Sequence, residues 1–336
     1  MESPKIAIVG CGFLGTSLAK YLKDFFSVTT FDITPQPKLL ENYNIEHKIC
    51  DITNFNQLQE KIGSTSIIIH TVATNLANIP SNSLAYDINI KGTQNLCETV
   101  TKNESIRGMI LCSSWHVYGE QDISGNMNED YGYRPDKVED RAKIYALSKV
   151  IQDCIVRFFD KKQDEKIFGA FRLGTILDHN MRDDTAAGKF ITKALAGDEV
   201  TPYKHSMNRP MFFVSMNDVC KSFKSFIDYI LMKDKKNIGN VDHIFNLAYP
   251  TPMKIIDLAN SIIDSVKKNS NGKILPKLSI VDMGIDETHS QIVEKSAQLD
   301  ISRINEYLNI SSLTKPEDVI DQIIRSRLDK MDESNG

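Results

Sequence analysis

The chain has 336 residues, 41% hydrophobic and 25% charged, the balance of a soluble globular protein with room for a large core or two lobes. A formal charge of −4 supplies no basic field for nucleic acid, and no apolar stretch reaches the roughly eighteen residues of a membrane span. The six cysteines never stand as Cys-x-x-Cys, the seven histidines show no ligand spacing, and the first strand starts at once; these features predict a cytoplasmic protein with buried thiols, no metal and no leader.

Lys5–Val9 is a short apolar run that leads into Gly10-Cys11-Gly12-Phe13-Leu14-Gly15 and then a helix-like stretch over 13–24. Gly-x-Gly-x-x-Gly between a strand and a helix is the setting in which a dinucleotide binds. Gly10 would allow a sharp turn, Gly12 would let a pyrophosphate approach the backbone, and Gly15 would let the helix pack closely. The helix N-terminus would offer unpaired N–H groups to the phosphates. A second strand over 27–31 ends at Asp32, an acceptor placed for both adenosine ribose hydroxyls and repulsive to a 2′-phosphate; this predicts NAD rather than NADP.

Further strands are expected at 45–49, 66–70, 107–112 and 166–172, with helices near 54–61, 83–102 and 138–162 between them. Continuous apolar runs such as Ile67-Ile68-Ile69 suit strands covered on both faces, and the alternation predicts a Rossmann-type, doubly wound parallel sheet. Past residue 175 the texture becomes more irregular. Helices are expected at 189–196, 216–233, 253–268 and 315–330, and strand 243–247 should return to the main sheet. The expected organisation is an NAD-binding domain over 1–175 and an interleaved, smaller C-terminal substrate lobe over 176–330.

Strand 107–112 delivers Ser113-Ser114-Trp115-His116 to the carboxyl edge, where ligands bind in open α/β sheets. Tyr145 and Lys149 lie four residues apart, on one face of a helix. A phenol of ordinary pKa near 10 is a poor base; a nearby ammonium and a positive nicotinamide would favour its phenolate, which could take a hydroxyl proton as hydride leaves the same carbon. Tyr133/Lys137 and Tyr229/Lys233 repeat the spacing, but the first spans Pro135 and the second lies on a helix with an apolar core stripe. His116 is open to three readings: substrate contact, base, or structural histidine.

Together these segments resemble the extended short-chain dehydrogenase/reductase family, in its NAD-dependent epimerase/dehydratase branch. The resemblance runs from about residue 5 to 325 and includes Cys50-Asp51-Ile52-Thr53, Ile69-His70-Thr71-Val72-Ala73, the Asn89–Leu96 helix, Ser113-Ser114-Trp115-His116-Val117-Tyr118-Gly119, Phe171–Thr175, Phe213–Val219 and Leu299–Arg303. It implies that Ser114 orients the substrate alcohol, Tyr145 is the acid/base, and Lys149 lowers the phenol's pKa and holds the nicotinamide ribose. The implied NAD contacts are Gly10, Gly12, Phe13, Leu14, Gly15, Asp32, Asp51, Ile52 and Ala73, with Tyr145 and Lys149. Substrate contacts are expected at Ser114, His116, Thr175 and Arg209; Arg209 is a candidate for a nucleotide diphosphate, or else a surface arginine before Pro210. A homodimer is implied by analogy, through the helices at 83–102 and 138–162.

Three departures matter. Ile8 and Val9 stand where the family has Thr and its first Gly. Trp115 and His116 stand where sugar 4,6-dehydratases carry Asp-Glu, and tryptophan supplies neither acid nor base. Leu177-Asp178 replaces a common Tyr-Gly-Pro. The leading expectation is a nucleotide-sugar epimerase; a dehydrogenase or reductase of a non-nucleotide alcohol or hydroxy acid, and an NAD-binding sensor or scaffold, are the alternatives.

Overall fold

The computed structural model describes residues 3–74, 81–233, 235–237, 241–286 and 297–335. Seven strands form the central sheet: β1 (Lys5–Val9), β2 (Ser27–Asp32), β3 (Glu46–Ile49), β4 (Ile67–His70), β5 (Gly108–Ser114), β6 (Ile167–Leu173) and β7 (Ile244–Leu247). All pairings are parallel, in the spatial order β3-β2-β1-β4-β5-β6-β7. The chain reverses direction of travel between β1 and β4, so the loops after these strands part and leave a crevice at the carboxyl edge.

The apolar runs behave as strands sealed on both sides: β4, β5, β6 and β7 are buried at every position. One face packs under helices Phe13–Leu22 and Met216–Met232, with Leu18, Leu22, Phe223 and Phe226 in its core. The other packs under helices Phe55–Ile62, Gly92–Lys102 and Lys143–Lys162, through Leu58, Leu96, Val100 and Val156. This is the expected doubly wound α/β fold. A third hydrophobic cluster joins Trp115, Val117 and Tyr118, which follow β5, to Phe190, Ile191, Phe212, Leu258, Ile262 and Ile320 from the later helices and strands.

Two expected helices differ in a way that matters for the site. The stretch 83–102 is not one α-helix: Asn82–Tyr86 passes through a π-turn, Asp87–Lys91, before Gly92–Lys102. Inside that turn Asn89 accepts from the Thr74 N–H and donates to the Thr74 carbonyl, both at 2.9 Å, clamping the segment after β4. Helix 138–162 starts as an α-helix only at Lys143, because the preceding backbone is engaged elsewhere. Glu120 N–H donates to Lys137 O at 2.7 Å, and Arg134 N–H to Val117 O at 2.8 Å. Small parallel pairs, Asn126–Met127 with Gln298–Leu299 and Thr175–Leu177 with Phe213–Ser215, tie distant segments together.

Under the carboxyl end of β6, Arg172 is 1% exposed and makes four hydrogen bonds. Its Nε donates to Asp153 Oδ2 at 2.8 Å, one Nη to the Tyr118 hydroxyl and the Glu129 carbonyl, and the other to Tyr133. Tyr118 in turn donates to Asn246 on β7, whose amide donates to the Met127 and Asp300 carbonyls. The late Leu299–Arg303 segment is thus a fastener, and Arg303 completes it with Glu129 and Asp130. Among the described residues no helix is long and apolar enough to cross a membrane.

Candidate active site

The opening loop divides its tasks among three glycines. Gly10 has φ +104°, and a Cβ there would meet Thr71 Oγ1 at 2.5 Å and Val72 N at 2.7 Å. Gly15 sits against the turn itself: a Cβ would meet Gly10 O at 1.9 Å. At Gly12, the residue that opens helix Phe13–Leu22, a Cβ would meet nothing within 4 Å. Gly12 is therefore required by nothing in the protein and leaves backbone open to an approaching group. No side chain caps this helix, so its positive end faces that space.

Register carries this edge onward. Val9 lies beside Phe31 and Asp32 beside Ile49, which places Asp32, Asp51 and Ile52 in succession along the carboxyl ends of β2 and β3. Asp32 Oδ2 accepts from the Cys11 N–H at 2.6 Å, linking the β2 carboxylate to the glycine loop. Asp51 folds back onto Thr53, accepting from its N–H and hydroxyl at 2.8 Å. Ile52 is buried against Gly92, and its carbonyl accepts from Asn95. These positions can present a carboxylate, a backbone edge and an apolar wall to a nucleoside.

In the other direction the edge opens into a cleft of about 320 Å³, lined by Phe13, Leu14, Thr71, Ala73, Cys112, Ser113, Ser114, His116, Tyr145, Lys149, Leu173, Thr175, Ile176, Met181 and Arg182, among others. Ser114, Tyr145 and Lys149 meet here with His116, Thr175, Phe13, Leu14 and Ala73. The Ser113 hydroxyl is buried on this wall without a hydrogen-bond partner.

Lys149 Nζ donates to the Cys112 carbonyl at 2.7 Å and lies 5.7 Å from the Tyr145 ring centroid. Burial draws its ammonium down from 10.5 to about 8, with Cys112 and Asp153 pulling the other way. Burial also raises the Tyr145 phenol to about 12, against the hydrogen bond with Ser114. In the free protein the phenol is thus held neutral rather than made acidic by the neighbouring ammonium, because the dry site disfavours both charges. Behind Lys149, His70 is fully buried with Nε2 2.8 Å from Thr93 Oγ1, and burial followed by the Lys149 charge pulls it down to about 3. It is a neutral structural group.

The lysine shift has a measurable consequence. Between about pH 8 and 10.5 the unfolded chain binds a proton that folded Lys149 has released, so this group makes stability rise with pH across that window. The stability of the wild type relative to Lys149→Met, read from urea midpoints, should increase between these limits and be level below them. A gap that stays flat through the window would mean the ammonium is not desolvated.

Trp115 is fully buried edge-on to Phe212 and lines the cleft, its indole N–H without a hydrogen-bond partner. His116 faces the cleft: Nδ1 is 3.0 Å from Ser114 Oγ and Nε2 3.2 Å from Glu120 Oε1. Arg209 does not come to the cleft. Its guanidinium is buried against Glu139 at 2.5 Å and Glu120 at 3.9 Å, because the loops 119–121 and 134–139 close over it. Two residues not singled out from sequence complete the arrangement: Glu120, a buried carboxylate with no local motif, and Asn89, legible only as part of the helix pattern. Asn89 donates to Ser148 Oγ at 3.1 Å, and Ser148 donates to the Tyr145 carbonyl at 2.8 Å, so the π-turn braces the first turn of the tyrosine's helix.

The chain is similar to known proteins in sequence and in fold. Residues 6–176, just over half of the chain, match the profile of the 3-beta hydroxysteroid dehydrogenase/isomerase family. A relative from Escherichia coli O157:H7, N-acetyl-alpha-D-glucosaminyl-diphospho-ditrans,octacis-undecaprenol 4-epimerase, is 23% identical over 57% of this chain and 56% of its own. UDP-glucose 4-epimerase from Mycoplasma genitalium is 26% identical over 48% of this chain and 50% of its own. The match therefore spans about half the length of these curated relatives. Among solved structures, UDP-glucuronic acid 4-epimerase from Bacillus cereus, in complex with UDP-glucuronic acid and NAD, superposes with a TM-score of 0.72 at 19% identity, covering 97% of this chain and 99% of that one. The chain belongs to the 3-beta hydroxysteroid dehydrogenase/isomerase family, within the extended short-chain dehydrogenase/reductases that its motifs resemble.

Proposed function

We propose that the protein is an NAD-dependent epimerase of a nucleotide sugar. The observation that carries this reading is the convergence of Ser114, Tyr145 and Lys149 in a cleft continuous with the glycine loop. Open backbone at Gly12, the uncapped helix and Asp32 beyond it suit a dinucleotide with a free ribose 2′-hydroxyl. NAD, when bound, supplies the hydride acceptor and donor. Ser114 hydrogen-bonds the reacting sugar oxygen, and Tyr145 takes and later returns its proton. Lys149, anchored on Cys112 O, holds a positive charge beside the phenol and would hold the ribose that carries the nicotinamide. The apolar walls from Phe13, Leu14, Leu173 and Ile176 exclude water while the proton is held. Thr175 and His116 face the sugar, and Arg209 serves as a brace for Glu120 and Glu139 rather than as a diphosphate clamp.

Incubation with NAD and UDP-glucose, UDP-N-acetylglucosamine or UDP-glucuronic acid, followed by chromatography of the sugars, tests the reading; no epimer from any of them would sink it. The apolar lining, Met181 included, favours one second reading, a net dehydrogenase of a less polar alcohol. Steady growth of NADH absorbance without an epimer would select it. We also propose a reducing, cytoplasmic setting, given six free thiols, and a homodimer through helices Gly92–Lys102 and Lys143–Lys162, where Phe158 is exposed. A monomeric mass by light scattering would overturn the dimer.

The glycine loop provides a separation of effects. Gly12→Ala should cost no more than about 1 kcal/mol of stability, since the added methyl meets open space and only the helix start is altered. Its affinity for NAD should fall roughly tenfold or more, about 1.4 kcal/mol, because that methyl occupies the phosphate's approach. Gly15→Ala should lose stability and NAD together. Calorimetric titration with NAD beside thermal melting distinguishes the two.

A further inference from the structure

Four side chains form a directed line from the cleft into the protein. Tyr145 and Ser114 line one cleft wall with the Tyr145 ring 6.0 Å from that of His116, Ser114 Oγ is 3.0 Å from His116 Nδ1, and His116 Nε2 is 3.2 Å from Glu120 Oε1. Glu120 is 1% exposed, and its other oxygen accepts from the Glu139 N–H at 3.1 Å. Burial pushes its pKa up, but the His116 contact, Arg209 and the Glu139 N–H outweigh burial and hold it at about 2.

The direction of the line follows from chemistry. A carboxylate only accepts, so the hydrogen between His116 and Glu120 sits on Nε2. A neutral imidazole then has its lone pair on Nδ1, facing Ser114, and the Ser114 hydroxyl donates to it. The serine oxygen accepts from the His116 N–H at 3.3 Å and keeps a second lone pair for the phenol. The side-chain donors Ser114 Oγ–H and His116 Nε2–H both point toward Glu120.

We propose that His116, oriented by Glu120, accepts the Tyr145 proton through Ser114 and so prepares the phenolate that acts on substrate. The phenol O–H breaks as a Ser114 O–H forms; the original Ser114 O–H breaks as His116 Nδ1–H forms. The products are a phenolate and an imidazolium held between Ser114 and the Glu120 carboxylate, with no net charge created. The step gives a dry, neutral phenol an internal acceptor, so it need not meet solvent hydroxide. The charged groups around His116 are Glu120 on its own loop, Arg209 and Glu139 behind that carboxylate, and Lys149 beyond Tyr145 on helix Lys143–Lys162. His116 and Glu120 act through Ser114 and are positioning residues. The proposal rests on the reading of Tyr145 as the acid/base but not on the identity of the sugar.

The test has two substrate-free arms and one with substrate. Nitrogen NMR of the labelled protein, with His116 signals identified by their loss in His116→Gln, should show the Nε2–H tautomer at neutral pH and its loss in Glu120→Gln; an Nδ1–H tautomer in the wild type overturns the proposal. Ultraviolet titration of NAD-loaded protein, taken as the difference from Tyr145→Phe, should show Tyr145 ionising at least about one pH unit higher in His116→Gln and Glu120→Gln, a roughly tenfold change in proton affinity. An unchanged ionisation overturns it. His116 has a side-chain exposure of 19%, so His116→Gln keeps this arm decisive if Glu120→Gln fails to fold. With UDP-glucose, kcat should fall in both variants with KM nearly constant; an unaltered kcat counts against the relay. If no UDP-sugar turns over while the first two arms hold, the substrate assignment has failed and the relay stands.

Discussion

Tyr145→Phe is expected to reduce turnover by roughly 10²- to 10⁴-fold while NAD affinity and melting temperature stay close to wild type. The change deletes one oxygen and keeps the ring. Ser114, beside that oxygen in the cleft, retains both of its contacts with His116, at 3.0 and 3.3 Å, so its hydroxyl is not orphaned. The ring's edge contact with His116 and its place beside Lys149 also persist. Only proton transfer is removed. Lys149→Met is a different lesion, because it strands the buried Cys112 carbonyl that accepts from Nζ at 2.7 Å. It should lower both activity and NAD affinity. Epimer ratios from UDP-sugars and calorimetric NAD titration separate these outcomes. A Tyr145→Phe protein with full turnover would place the proton elsewhere and return the sensor or scaffold reading to the front.

The contrast between legible and hidden parts of this site has a physical basis. The glycine loop is legible because its constraints lie within six residues: a positive φ at Gly10, open space at Gly12 and contact with Gly10 O at Gly15 each follow from strand-turn-helix geometry. The seven strands are legible because a parallel sheet with both faces covered demands continuous apolar runs, as at Ile67-Ile68-Ile69. Ser114, Tyr145 and Lys149 are legible from a spacing in a known context. Glu120 is hidden because a buried carboxylate is recognised by its partners, and those come from residues 116, 139 and 209. Arg209 misleads for the same reason: an arginine before a proline resembles a surface group until Glu139 and Glu120 are placed against it. The π-turn at Asp87–Lys91 leaves no periodic trace in five residues, although the asparagine that defines it stands in plain view. Two-residue pairs such as Asn126–Met127 with Gln298–Leu299 join segments too short and too distant for any pattern to register.

The same reasoning identifies the position whose loss should be felt most strongly in stability. Arg172→Met is expected to destabilise the protein by about 3–5 kcal/mol, the cost of leaving a buried charge without its partner. Asp153, fully buried at 0% exposure, would lose its 2.8 Å bond to Nε, while its second oxygen already has no partner. The Tyr118 and Tyr133 hydroxyls and the Glu129 carbonyl would each lose a donor as well. Against a typical total of about 5–15 kcal/mol, that is enough to populate unfolded chains at ambient temperature. The effect should reach the active site, since Tyr118 closes the turn that carries His116 and Glu129 supports Asn246 on β7. A second change separates charge from packing. Arg172→Met with Asp153→Leu removes both ions, and apolar replacement of a buried pair is often neutral, so the double variant should regain most of the lost urea midpoint. A single variant that unfolds at the wild-type midpoint would mean the whole network adds little to stability; a double variant no better than the single would mean that the loss comes from the neutral hydrogen bonds and not from the stranded Asp153 charge.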